Sequence, residues 1–128
     1  MMTARDIEFQ SKVAKRFLSK KSDAERRGIE FTLSLRSIEN LLSAKHCYYT
    51  GFLLTENSAS EGHQVATGRT IDRIDSSKGY IKGNVVACCY AANQLKAMVE
   101  GGGFKGYELG QKIFAKTIKR INQAGVKA

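Results

Sequence analysis

At 128 residues the chain is long enough for one sizeable core, and its 42% hydrophobic and 26% charged residues exclude a disordered or fibrous protein. A formal charge of +9 favours polyanionic partners, because lysines and arginines that neutralise phosphates release condensed counterions. No apolar run approaches the roughly 18 residues of a membrane span, and "MMTARDIEFQ" lacks the apolar stretch of a secretory signal, so no membrane partner and a cytoplasmic location are expected.

Residues 3 to about 21 read as a basic amphipathic helix. Phe9, Val13 and Phe17 recur every fourth residue, while Lys12, Lys15, Arg16 and Lys20 take the other faces, as a solvated side or as phosphate contacts. "GIEFTLSL" alternates Ile29, Phe31, Leu33 and Leu35, the period of a short half-buried strand. Ser34 or Ser37 can cap a helix over "SIENLLSAK", with Ile38, Leu41 and Leu42 turned inward. "HCYYTGFLL" predicts a strand with a tight turn around Gly51, and "TENSASEGHQVATG" a polar loop.

"RTIDRI" predicts a strand, "DSSKGYIKGN" a glycine-containing turn and "VVACC" the next ordered segment. "CYAANQLKAMV" has helical composition, and the glycines at 101–103 end it. From Phe104, the residues Tyr107, Leu109, Ile113, Phe114, Ile118 and Ile121 mark a last amphipathic helix, with Lys112, Lys116, Lys119 and Arg120 on its other side. With no internal repeat, the expectation is a single domain over 1–128. It comprises an N-terminal helix and strand segment (1–44), a core (45–100) and a C-terminal helix (104–122).

The cysteines, Cys47, Cys88 and Cys89, are an odd number with an adjacent pair, which suits reduced thiols better than a disulfide framework. More chemistry lies between residues 72 and 93. Two strands joined by a loop and followed by a helix can bring Asp72, Asn84 and Asn93 together. A hard cation such as Mg2+ takes oxygen ligands, which Asp72 and the amide oxygen of Asn93 can supply. Asn84 can instead bridge backbone groups and hold the loop in shape. The bland alternative is a strand end with surface ion pairs, a turn asparagine and a helix asparagine.

Taken together, "RTIDRIDSSKGYIKGNVVACCYAANQLK" and the upstream "ERRGIEFTLSLRSIENLLSAKHCYYTG" resemble the HNH nucleases of the ββα-metal (His-Me finger) superfamily, in particular their phage-type members. The resemblance runs from about residue 25 to 97 and implies an α+β fold with a ββα core flanked by helices. It makes Asp72 and Asn93 ligands of one catalytic Mg2+ or Mn2+, and Asn84 the middle asparagine of the motif. Arg73 stands in the slot of the histidine that normally acts as general base. A guanidinium stays protonated and is a poor base, so Arg73 is expected to hold the scissile phosphate, or His63 from the loop upstream to serve as a substitute base.

Many relatives carry two CxxC pairs that bind structural zinc, which requires four ligands. Here Thr50 and Ala92 replace two of them, leaving Cys47 and Cys89, so no structural zinc is expected. In the family's arrangement the ββα unit meets the DNA backbone, and Lys78, Lys82 and Lys96 are candidate phosphate contacts. Arg26 and Arg27 add contacts or solvate the start of a strand, and Tyr80 is read as a packing residue.

The resemblance thus implies a DNA endonuclease that hydrolyses phosphodiester bonds with a single metal ion, with RNA left open as a substrate. The alternative is a catalytically inactive DNA-binding protein of the same fold, motivated by Arg73 and the broken zinc site. A third reading is a protein that binds a nuclease or replication partner. The amphipathic helices at both ends offer a surface for a homodimer.

Overall fold

The computed structural model describes residues 1–56, 65–101 and 103–125. The chain falls into two compact units, residues 1–92 and 93–128.

In the first unit, helix α1 (Ala4–Arg27) opens on a capping box. The Thr3 hydroxyl accepts from the Asp6 N–H, and the Asp6 carboxylate accepts from the Thr3 N–H. It runs a turn and a half beyond the expected end at residue 21, because "SDAERR" has no breaker before Gly28. Gly28 stops it in the left-handed region (φ 68°), where glycine carries no steric penalty. Val13 and Ala24 on its inner face are buried, with Phe9 and Phe17 packed beside them.

The strand expected over "GIEFTLSL" does not form. Phe31 makes a single parallel bridge to Tyr80, through the Tyr80 N–H to Glu30 O (2.8 Å) and the Thr32 N–H to Tyr80 O (3.0 Å). The alternation is real, since Ile29, Phe31 and Leu33 all join the core. What faces them is a turn two residues wide, too short for a ladder. Leu35 is not part of this stretch: it opens helix α2 (Leu35–Ser43), which Ser34 caps and Ile38 anchors in the core.

The segment "HCYYTGFLL" is likewise a tight hairpin with one bridge, His46 to Leu53, and no named strand. Gly51 (φ 75°) supplies its turn. The Tyr48 N–H donates to Ala87 O at 3.0 Å, tying the hairpin to the second strand of the sheet.

Strands β1 (Arg69–Arg73) and β2 (Val85–Cys89) pair antiparallel, with Asp72 opposite Val86 and Arg73 opposite Val85. Helix α3 (Tyr90–Glu100) comes directly after β2, completing a β-turn-β-α order. Ile71 and Tyr80 join Val13, Ala24, Leu33 and Ile38 in one core. A smaller core gathers Cys47, Leu54, Ala87, Cys88 and Cys89, with Ala92 packed against it.

The second unit contains most of α3 and helix α4 (Gly103–Gln123). Gly106 lets the two helices approach closely, since a Cβ there would collide with the Val99 backbone. Leu109, Ile113 and Ile118 on α4 are exposed. No helix among the described residues is long and apolar enough to cross a membrane.

Candidate active site

The site is built on the β1–β2 hairpin of the first unit. Successive strand residues point to opposite faces, so Ile71, which is buried in the core, sends Asp72 to the other side. There the Tyr49 hydroxyl, from the turn of the 46–53 hairpin, donates to Asp72 Oδ2 at 2.9 Å. This contact orients a carboxylate that is itself only half-buried.

Arg73 shares the face of Ile71 rather than that of Asp72. Its Nη1 donates to the carbonyls of Ser76 and Lys78, each at 2.9 Å, and its guanidinium lies 5.3 Å from the centre of the Tyr80 ring. Lys20 of α1 lies near the same ring, at 5.7 Å. Burial pushes the Lys20 ammonium below its usual range and the nearby Arg16 adds to this, while Asp23 and Asp72 oppose it. Two cations therefore share the Tyr80 ring.

Asn84 is buried, 7% exposed, and uses both ends of its amide. Its Oδ1 accepts from the Asp75 N–H (3.0 Å), and its Nδ2 donates to Asp75 O (3.1 Å) and Gly79 O (2.9 Å). Within the same turn Asp75 accepts from the Ser77 hydroxyl and N–H, which hold its carboxyl below the usual range. Gly79 is required for close approach: a Cβ there would stand 2.8 Å from Glu30 Cβ.

The remaining sequence candidates lie on the turn between the strands, on α1 and on α3, or outside the described residues. Lys78 and Lys82 are exposed on the turn between the strands. Lys96 on α3 pairs with Glu100 at 3.6 Å. Arg26 and Arg27 both pair with Asp23 at the end of α1. Asn93 is the fourth residue of α3 and belongs to the second unit. His63 lies outside the described residues. Tyr80 is buried in the core.

Cys47, Cys88 and Cys89 are buried free thiols, and among the described residues no group of three His, Cys, Asp or Glu could hold a metal. Burial raises the Cys88 thiol to about 11. At Cys47 burial acts the same way. It is outweighed by hydrogen bonds from the Thr50 hydroxyl and the backbone N–H groups of Cys89, Thr50 and Tyr49, which bring the thiol to about 7. Thr50 thus bonds to the Cys47 sulfur through both its hydroxyl and its backbone N–H.

Two contributors carry little signal in the sequence. Tyr49 belongs to no periodic pattern or motif, and Lys20 is one of several equivalent lysines on α1.

No family model matches the chain. It is 34% identical over 117 residues to an uncharacterised 29.0 kDa protein of Enterobacteria phage T4, a match covering 87% of this chain and 44% of that protein. The chain therefore spans less than half the length of this curated relative. Among solved structures it is similar to the rare-cutting HNH restriction endonuclease PacI, with a TM-score of 0.54, 20% identity, and coverage of 91% of this chain and 83% of that one. The fold is accordingly α+β and HNH-like, with a ββα core.

Proposed function

We propose that the chain is a metal-dependent DNA endonuclease in which Asp72 is the principal ligand of one Mg2+ or Mn2+. The observation that carries this reading is the Asp72 carboxylate at the end of β1, turned away from the core and gripped by Tyr49 within an HNH-like fold. The sequence motif supports Asn93 as the second ligand. A carboxylate and an amide make an all-oxygen donor set, which fits a hard cation and not zinc.

When bound, the metal would stabilise charge on the phosphate and the leaving 3′ oxygen. Tyr49 fixes one carboxylate oxygen so that Asp72 meets the metal in one orientation. Asn84 holds the turn between the strands, and Arg73 braces it from the other side. Lys20, half-buried over the Tyr80 ring and within the field of Asp72, adds to the positive potential that would attract a phosphate. The +9 charge supports a nucleic-acid substrate.

A second reading, a DNA-binding protein without catalysis, is favoured by one feature: Arg73 fills the general-base slot and donates to turn carbonyls. Calorimetric titration of Mn2+ into wild type, Asp72→Ala and Asn93→Ala separates the two. The endonuclease reading expects saturable binding that each substitution abolishes. Equal heats in all three proteins would leave only the binding reading.

A further inference from the structure

Helix α2 and strand β2 frame a groove of about 720 Å³ that Asp72 and Arg73 do not line. Val85, Val86, Arg36, His46, Tyr48 and Lys82 are among the residues that line it. No carboxylate among the described residues lines it. The groove thus combines apolar residues with the cations Arg36 and Lys82, which suits a ligand with flat bases and anionic linkers. Its volume falls in the range that takes a single small ligand, enough for a nucleotide or two and too small for a duplex.

Two features connect this groove to Asp72. Val86 is the cross-strand partner of Asp72 in the β1–β2 ladder. Tyr48, 62% exposed, packs edge-on against Tyr49 with ring centres 5.1 Å apart, and Tyr49 bonds to Asp72. Tyr48 is thus separated from the Asp72 carboxylate by a single side chain, that of Tyr49.

We propose that this groove binds a short unpaired stretch of DNA, with phosphates on Arg36 and Lys82 and a base stacked on Tyr48. Its role beside a scissile phosphate rests on the endonuclease reading; the binding itself requires no metal. Aromatic stacking is tolerant of base identity because every base has a π-face, and flanking cations track the backbone.

The test is fluorescence anisotropy in EDTA with a labelled oligothymidine about 12 nucleotides long, a length matched to compact single-strand sites. Arg36→Ala/Lys82→Ala is expected to weaken binding about tenfold or more and to lower the salt slope by about 1.4, the value for two lost single-strand phosphate contacts. Lys112→Ala/Lys116→Ala removes the same charge from α4 and should change affinity by less than about twofold. Tyr48→Ala should cost roughly 5- to 100-fold on the single strand and leave a duplex of equal length unaffected. Equal losses in both double variants, or unchanged single-strand affinity in Tyr48→Ala, would overturn the proposal. A protein that passes this test but does not cleave loses only the endonuclease reading.

Discussion

The Tyr49 hydroxyl donates to Asp72 Oδ2 at 2.9 Å, joining a hairpin turn to a strand 23 residues further along the chain. The bond leaves the carboxylate accessible but restricts its rotation. Tyr49→Phe should therefore keep the fold while loosening Asp72, the proposed metal ligand. One hydrogen bond to a charged group is worth about 1.5 kcal/mol or more, so the Mn2+ concentration for half-maximal cleavage should rise about tenfold. An unchanged metal requirement would mean that the bond does not orient Asp72.

Arg73→His introduces the histidine that the resemblance to HNH nucleases leads one to expect at this position. The side chain at 73 lies on the Ile71 face of β1, toward Tyr80 and the turn carbonyls. Histidine there should leave cleavage within about threefold of wild type, far below the 10² to 10⁴ expected of a general base. It should also destabilise the protein by about 1–2 kcal/mol through the lost carbonyl and ring contacts. A hundredfold gain in plasmid cleavage would instead place residue 73 at the reaction centre.

Asn84 makes three hydrogen bonds to the backbone of its own turn, and two of its partner groups belong to Asp75. Asn84→Ala should cost about 2–3 kcal/mol in urea denaturation, since a buried amide network is lost at once. Cleavage should fall together with stability and recover in part at lower temperature. Stability within about 0.5 kcal/mol of wild type would show that the turn does not depend on this residue.

Lys20 provides a pH signature. Burial lowers its pKa below the ordinary 10.5, so the folded state releases this proton before the unfolded chain does. Stability then rises with pH as the folded group discharges, up to the unfolded value. At neutral pH the full cost of burying the charge is present. Relative to Lys20→Met, wild type should gain stability between pH 7 and pH 10.5, measured by urea unfolding at each pH. A pH-independent difference would mean that the ammonium is not desolvated.

Local signals in the sequence carried most of the ββα core. The "RTIDRI" and "VVACC" segments form β1 and β2, α3 forms where its composition implied, and Ser34 caps α2. Periodicity failed where tertiary partners decide the outcome. "GIEFTLSL" has the alternation of a strand, yet only the Gly79–Tyr80 turn lies beside it, and glycine at 79 is what permits that approach. The Tyr49–Asp72 contact depends on the 46–53 hairpin folding back over β1, which no spacing in the chain announces. The direction of Arg73 was legible in principle, because a strand period of two turns it away from the face of Asp72.

The most direct test of the central claim is nicking of supercoiled plasmid in Mg2+ or Mn2+ by wild type and Asp72→Ala. Metal-dependent nicking by wild type is expected, reduced at least about a hundredfold in Asp72→Ala. Equal nicking by both proteins, or none by wild type with either metal, would contradict it.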